Sequence, residues 1–377
     1  MKFETYQAGK WLAQYQYKSF EPTLVNHAWT WEDTPINFLL ESANRALGEL
    51  NAFSLFVPDV DLFIQMHITK EAQTSSKIEG TQTGFNEVLL AKEYIPLDKR
   101  DDWQEVHNYI DAIHESIAHL KNLPLSNRLL KSTHQVLMRG VRGESKQPGE
   151  FRKSQNWIGG SSLSDASFIP PHQNNVDNLM SDLEQFLHND ALQIPHLIRI
   201  AIAHYQFETI HPFLDGNGRI GRLMIPLYLI SKGLLSKPSL YLSDFFERNR
   251  ASYYDALTRV RMSNDLMHWV RFFLNGVLET SIKGRDTFFS ILQLRTEIEA
   301  QILHLGKQAP NVHAALQSLY RQPLTTAPIL ERALSLSKPT TQKIVRTLVD
   351  MGVLVETTGQ LRDRIYVFER YLNVFAS

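Results

Sequence analysis

His211-Pro212-Phe213-Leu214-Asp215-Gly216-Asn217-Gly218-Arg219-Ile220-Gly221-Arg222 sits between two apolar stretches and decides how the chain is read. Before it, Ile198 to Glu208 repeat with helical rather than strand periodicity; after it, Leu223 to Ile230 form the apolar run of a buried helix. A glycine-rich turn feeding a helix leaves backbone N–H groups free at the helix N-terminus, where the dipole also favours an anion. Gly216 and Gly218 permit close approach of a ligand. Arg219 and Arg222, three apart, offer charge-assisted donors to phosphate on one side. Asp215, itself an anion, fits beside a phosphate as a ligand of Mg²⁺. His211, with an ordinary pKa of about 6.5, is a candidate base. Together these residues read as a site for a nucleotide phosphate, a metal ion and a hydroxyl nucleophile. No Gly-Lys-Ser/Thr follows the glycines, which excludes a Walker A loop, and the helical pattern upstream excludes a dinucleotide fingerprint.

The chain has 377 residues, 43% hydrophobic and 21% charged, the composition of an ordinary soluble protein of roughly two or three domains. A net charge of −1 gives no global pull toward nucleic acid or membrane. Without cysteine there is neither a disulfide nor a thiolate metal site, which fits a reducing compartment. No apolar signal core opens the sequence and no apolar run reaches spanning length, so a cytoplasmic protein without membrane contact is expected.

Helical spacing predicts helices over 35–56, 61–79, 85–91, 102–120, 126–138 and 176–187, and beyond the motif over 251–260, 266–280 and 281–304. Residues up to about 35 read as irregular, with a few helical turns. Between 140 and 171, Gly, Pro and Ser punctuate two short apolar runs around Ile158 and Phe168, which predict a hairpin. From 324 onward a helix (324–334), a turn (335–341), a helix (340–351) and strands at 352–358 and 364–368 follow a winged-helix plan. Lys338, Lys343, Arg346, Arg362 and Arg364 could contact phosphates there, diluted by Asp350, Glu356 and Asp363. DNA binding and a dimer or partner contact both stay open.

The motif resembles the complete signature of the Fic (filamentation induced by cAMP) domain proteins, on His211, Pro212, Phe213, Asp215, Gly216, Asn217, Gly218, Arg219, Gly221 and Arg222. The related phosphate-transferring Doc branch carries lysine where Gly218 stands. The resemblance implies a mainly α fold: a Fic-type helical bundle with a small β-hairpin flap, plus a C-terminal winged-helix domain. The division would be an N-terminal segment with an inhibitory helix at 1–100, a catalytic core at 101–280, and a linker helix with the winged helix at 281–377. It also implies a protein adenylyltransferase, moving AMP from ATP to a Ser, Thr or Tyr hydroxyl of a target protein or of itself. His211 would take the hydroxyl proton. The N–H groups of Gly216 to Gly218 and the Asn217 side chain would cradle the phosphates, with Ile220 and Gly221 in the same ATP-binding turn. Arg219 would hold the β-phosphate and Arg222 the γ-phosphate, with Mg²⁺ on Asp215. Of the pair Tyr253–Tyr254, Tyr253 is taken as the nucleotide contact. The flap would dock the target segment as an added strand, and a homodimer is expected by resemblance.

Ser75-Ser76-Lys77-Ile78-Glu79-Gly80 resembles the inhibitory motif of the same family on Ser75, Glu79 and Gly80. A Glu79 carboxylate paired with Arg222 would take the arginine meant for the γ-phosphate. ATP would then sit with its α-phosphate out of line, and an error of about 1 Å can cost ~10²-fold in rate. Two alternatives stay open: a de-adenylylating phosphodiesterase using the same site, and a DNA-binding regulator acting through the tail. His196 and His204 lie near helical spacing from His211, but no carboxylate completes a zinc pattern, and they read as core or surface histidines.

Overall fold

Side-chain caps mark where several of the helices begin. In the computed structural model, which describes residues 1–140, 145–360 and 364–376, Asp33 accepts a hydrogen bond from Ile36 N at 2.7 Å and Pro35 stands in the first turn of α1 (Thr34–Phe56). Next come α2 (Val60–Ile78), the short α3 (Phe85–Val88), α4 (Arg100–His119) and α5 (Asn127–Leu137), the last capped by Ser126 on Leu129 N. The bundle continues with α6 (Val176–His188), α7 (His196–Ile210), α8 (Asn217–Ser231), α9 (Ser243–Arg248) and α10 (Arg250–Ser263). α7 is the centre of the core: every residue from Leu197 to Ile210 is buried, which suits its nearly continuous apolar sequence.

Ahead of α1, the stretch expected to be irregular forms an antiparallel hairpin, β1 (Gly9–Ala13) with β2 (Lys18–Pro22), in register Gly9 to Pro22. Its aromatic side chains explain it. Trp11 and Phe20 pack on each other and on Phe168 from a distant part of the chain, with ring centres 5.1–5.9 Å apart. That partner is invisible to local periodicity. The hairpin expected at 156–171 is reduced to a single antiparallel bridge between Ile158 and Phe168.

The helices expected at 266–280 and 281–304 are one, α11 (Leu266–Leu303), 38 residues long and capped by Asp265 on His268 N. The polar pair Thr280-Ser281 interrupts the apolar spacing without breaking the helix, because α1 packs along α11, from its cap Asp33 on Arg271 before the pair to Leu50 against Gly284 after it. The division expected at 281 therefore falls inside a helix. A helix not anticipated, α12 (Ala309–Arg321), follows. The helix expected at 324–334 opens instead with a strand, β3 (Leu324–Thr325), before α13 (Ala327–Leu334). α14 (Lys338–Asp350), β4 (Val355–Glu356), β5 (Tyr366–Val367) and α15 (Glu369–Ala376) complete the tail, whose antiparallel sheet has the order β3-β5-β4. Arg362 and Asp363 lie outside the described residues. The tail rests on α2: Phe63 meets the rings of Tyr320 and Tyr371, and His67 meets that of Phe375. Among the described residues no helix is long and apolar enough to cross a membrane.

Candidate active site

α7 ends because His211 turns into the left-handed region, at φ 51°. Such a conformation is uncommon for a residue with a side chain and costs about 1–2 kcal/mol. Three buried groups hold it in place. Arg152, 2% exposed, donates from Nε to the His211 carbonyl at 2.9 Å and from Nη2 to the carbonyls of Pro171 and Ile210. Asn156 donates to the carbonyls of His211 and Phe213 at 3.2 and 2.9 Å. His134 lies flat on the Phe213 ring, 3.9 Å between centres. It accepts from Gly149 N on Nδ1, so its Nε2 carries the proton given to the Asp215 carbonyl at 3.0 Å. Burial pushes the His134 imidazole down to about 4, keeping it in that neutral form.

The loop then closes on itself. Asn217 uses both ends of its amide on Phe213, accepting from N and donating to O, each at 2.8 Å. This side chain shapes the turn; its backbone, not its amide, faces the helix mouth. Gly216, at φ 75°, caps α8 where a side chain would be strained. The N–H groups of Asn217, Gly218 and Arg219 have no acceptor within α8, as helix geometry dictates. Ile220 and Gly221 are buried in the next turn.

Both arginines at this mouth are buried and held by carboxylates. Arg219 reaches Glu105 of α4 at 3.2 Å and Asp215 at 3.8 Å. Arg222, 3% exposed, donates from Nη2 to Glu79 Oε1 at 2.6 Å and to the Ser75 carbonyl at 2.9 Å, and from Nε to Ser75 Oγ at 2.8 Å. Burial alone would raise the Glu79 carboxyl, but the charge and hydrogen bond of Arg222 outweigh it and hold Glu79 below the ordinary carboxylate range. Burial likewise opposes the charge on Arg222, and Glu79 outweighs it, holding the guanidinium above its ordinary value. The carboxylate lies so close over α8 that a Cβ on Gly218 would stand 2.2 Å from Glu79 Oε1. Gly80 follows at φ 106°, turning the chain away from the end of α2.

Burial, with Arg261 and Arg152 adding like charge, pushes the His211 imidazole down to about 3, so the ring is neutral over the physiological range. Asp215 is exposed, its Oδ1 accepting from Gly216 N at 2.6 Å. Tyr253 is a core residue, 1% exposed, stacked on Phe246 and bonded through its hydroxyl to His204 Nε2 at 2.9 Å. Its neighbour Tyr254, 42% exposed and close enough to feel the charges of Glu79 and Arg222, offers the accessible ring. His204 also meets the Gly221 carbonyl, and His196 the Tyr228 hydroxyl, so both histidines are structural.

Sequence reasoning missed Arg152, Asn156, His134, Glu105 and Glu208. The first four come from elements 55 to 114 residues away from their partners in the motif, and no local pattern marks them. Glu208, one turn before His211, packs beneath Gly221 with Oε1 lacking a hydrogen-bond partner among the described residues. Burial pushes it up to about 7.

The helical bundle thus brings a helix N-terminus, two buried arginines and a neutral histidine together in one site. Residues 38–118 match the Fic/DOC family N-terminal model and residues 124–229 the Fic/DOC family model, and the chain belongs to this family. The protein adenylyltransferase Fic of Culex quinquefasciatus is 36% identical over 125 residues, covering 33% of this chain and 22% of that protein. The protein of the same name from Drosophila erecta is 33% identical over 174 residues, covering 44% and 32%. The chain thus matches about a third or less of these relatives' length. A Fic family protein from Desulfovibrio desulfuricans G20 superposes with a TM-score of 0.57 at 22% identity, over 91% of this chain and 98% of that one. Residues 134–508 of Fic-1 from C. elegans superpose at 0.51 and 20% identity, over 69% and 73%. These two likenesses show the fold.

Proposed function

We propose that the chain is a protein adenylyltransferase that transfers AMP from ATP to a Ser, Thr or Tyr hydroxyl of a target protein, held back by Glu79. The observation that carries this reading is the 2.6 Å pair between Glu79 and Arg222 over the mouth of α8. One cation of a phosphate-type site is taken by a carboxylate of the same chain, beside N–H groups with no acceptor within α8. The curated relatives, named protein adenylyltransferases, support the same reaction class.

In this reading the α-phosphate lies over the N–H groups of Asn217, Gly218 and Arg219, while Arg219 and Arg222 hold the phosphates that leave as pyrophosphate. Arg222 can do so only after Glu79 lets go. His211 is neutral and can accept a proton. A proton on the buried Nδ1, beside the Glu208 carbonyl, leaves the Nε2 lone pair as the base. The target hydroxyl oxygen bonds to the α-phosphorus, the bond to the pyrophosphate oxygen breaks, and the hydroxyl proton passes to His211. Tyr254 offers its ring to the adenine. Among the described residues no cluster of three or more His, Asp or Glu could hold a metal. Asp215 nevertheless fits Mg²⁺, which binds through one or two carboxylates and substrate phosphates; its carboxylate is 48% exposed beside the helix mouth. When bound there, the ion would neutralise charge on the leaving pyrophosphate. A target segment laid along the Ile158 edge, a homodimer and a cytoplasmic setting belong to the same proposal.

Incubation with labelled ATP tests it: His211→Ala should abolish AMP transfer while ATP still binds. Transfer by that variant at the wild-type rate would remove His211 as the base. Loss of AMP from a modified protein on further incubation would assign the reverse reaction to the same site. The tail supports a second reading, nucleic-acid contact, through Lys343 and Arg346, both exposed on α14 with Lys338 at its start. Salt-dependent duplex binding, weakened in Lys343→Ala and Arg346→Ala, is its test.

A further inference from the structure

Helix α2, which ends in Glu79, has a second face turned away from the site described above. His67, Lys70, Glu71 and Thr74 lie on it at positions i, i+3, i+4 and i+7, a spacing that ordinarily carries apolar residues into a helix packing. Across from them α11 presents Thr280, Lys283 and Thr287 with the same spacing. Between the two helices, floored by Tyr241 and Phe375, is a cleft of about 70 Å³, smaller than drug-sized ligand sites but with room for a small ion.

Its lining is unsatisfied in two respects. His67 Nε2, Thr280 Oγ1 and the hydroxyl of Tyr241, a residue 7% exposed, are buried atoms without a hydrogen-bond partner among the described residues. Leaving such an atom unpaired is unfavourable, and three residues lining one cleft carry them. The charges do not balance either. Lys283 pairs with Asp244 at 3.1 Å, and Asp244 also takes Arg248. Glu71 is committed to Tyr109 and to Ser243, and burial pushes it up to about 7. Lys70 is the cation left over. Its Nζ lies 5.3 Å from the Phe85 ring centre and forms no ion pair among the described residues; Asp244, which also lines the cleft, and Glu247 act on it only from beyond pairing distance.

We propose that this cleft binds a small organic or inorganic oxyanion, a carboxylate or a phosphate, with Lys70 as its counter-ion and His67, Tyr241 and Thr280 as hydrogen-bond partners. Occupancy holds α2 where it is seen, because four of the lining residues belong to that helix. Ser75 and Glu79 follow Thr74 on the same chain segment, and Tyr109 links Glu71 to Ser75, which grips Arg222. A bound anion therefore favours the Glu79–Arg222 pair and opposes productive ATP. By linkage ATP must weaken the anion by the same factor, about 10-fold for a typical coupling. The coupling rests on the function proposed above; the binding does not.

The test uses the full chain as wild type, Lys70→Gln and Thr280→Leu, with inorganic phosphate and malonate as probes, read by calorimetry and thermal shift. Saturable binding of one probe by wild type is expected, weakened about 10-fold in Lys70→Gln, a size set by losing one charge-assisted contact, and weakened also in Thr280→Leu, which fills the cleft and removes an unpartnered hydroxyl. Phosphate held at the α8 mouth would persist in both variants. No saturable binding, or binding unchanged in both variants, overturns the site. In the second arm the probe should lower AMP transfer by wild type and leave Glu79→Gly unaffected; binding with unchanged or raised wild-type transfer overturns the coupling. If no protein transfers AMP, the first arm still decides the site, and the transfer reading fails separately.

Discussion

Replacing Gly218 with alanine probes the Glu79 contact without touching Glu79. Gly218 lies in the first turn of α8 and is not among the residues with positive φ. The helix itself therefore tolerates alanine there and gains up to about 1 kcal/mol from it. The new Cβ, however, would stand 2.2 Å from Glu79 Oε1 and 2.9 Å from Arg222 Nη1. Carbon and oxygen approach to about 3.3 Å without repulsion, so the carboxylate must retreat by about 1 Å. That lengthens its bond to Arg222 from 2.6 Å beyond hydrogen-bond range. Stranding a buried charge costs about 3–5 kcal/mol. Glu79 is a third exposed and can turn to water, and Arg222 keeps both bonds to Ser75, so about 1–2 kcal/mol is expected here. In a Glu79→Gly background the same substitution meets only the end of the Arg222 side chain and should be neutral or stabilising. The coupling in the double-mutant cycle is then about 2 kcal/mol. Urea and thermal unfolding of the four proteins without nucleotide measures it, separately from any effect of alanine on ATP. Equal destabilisation in both backgrounds would refute the contact as the reason for glycine at this position.

Glu79→Gly should raise AMP transfer by about 10²-fold, the cost assigned to a misaligned α-phosphate, and should enlarge the thermal shift caused by ATP; unchanged transfer with ATP demonstrably bound counts against autoinhibition. Tyr254→Ala should weaken ATP by about 1 kcal/mol with stability intact, whereas Tyr253→Phe, losing its bond to His204, should cost about 1 kcal/mol of stability with ATP affinity intact. The reverse pattern in nucleotide titrations would place Tyr253 at the adenine. Glu71 is faced by Tyr109 and Tyr241, by Ser243 and by Arg222, and its carboxyl is raised from 4.5 to about 7. Between those values the folded chain holds a proton that the unfolded chain has released. The stability Glu71 contributes is thus fully present below about 4.5 and lost as pH rises through about 7. Glu71→Gln should flatten that slope in unfolding measurements across the window, and an unaltered slope would show that another group carries it.

Much of the helical framework was legible because helices announce themselves locally. α1, α2, α4, α5 and α6 carry apolar residues at helical spacing, and Asp33 and Ser126 stand where caps are needed. The misses share one cause. The β1–β2 hairpin is made by the meeting of Trp11 and Phe20 with Phe168, a contact spanning some 150 residues. α11 stays whole through Thr280 and Ser281 because α1 lies along it, and periodicity within α11 cannot see α1. β3 pairs with β5 more than forty residues later, so two residues read as the start of a helix became a strand.

Residue order alone sets the chemistry available at the mouth of α8: which residue can accept a proton, which cations can meet phosphate, which carboxylate can hold a metal. Those are properties of residue types at short spacing, and a turn of twelve residues carries them. Folding set their state. It put Glu79 on Arg222 across 143 residues of chain, turned the Asn217 amide inward, buried Tyr253 and exposed Tyr254, and left three polar atoms in the cleft between α2 and α11 without hydrogen-bond partners among the described residues. Burial and charge pairing act through space, and the chain comes to control them only when it has folded.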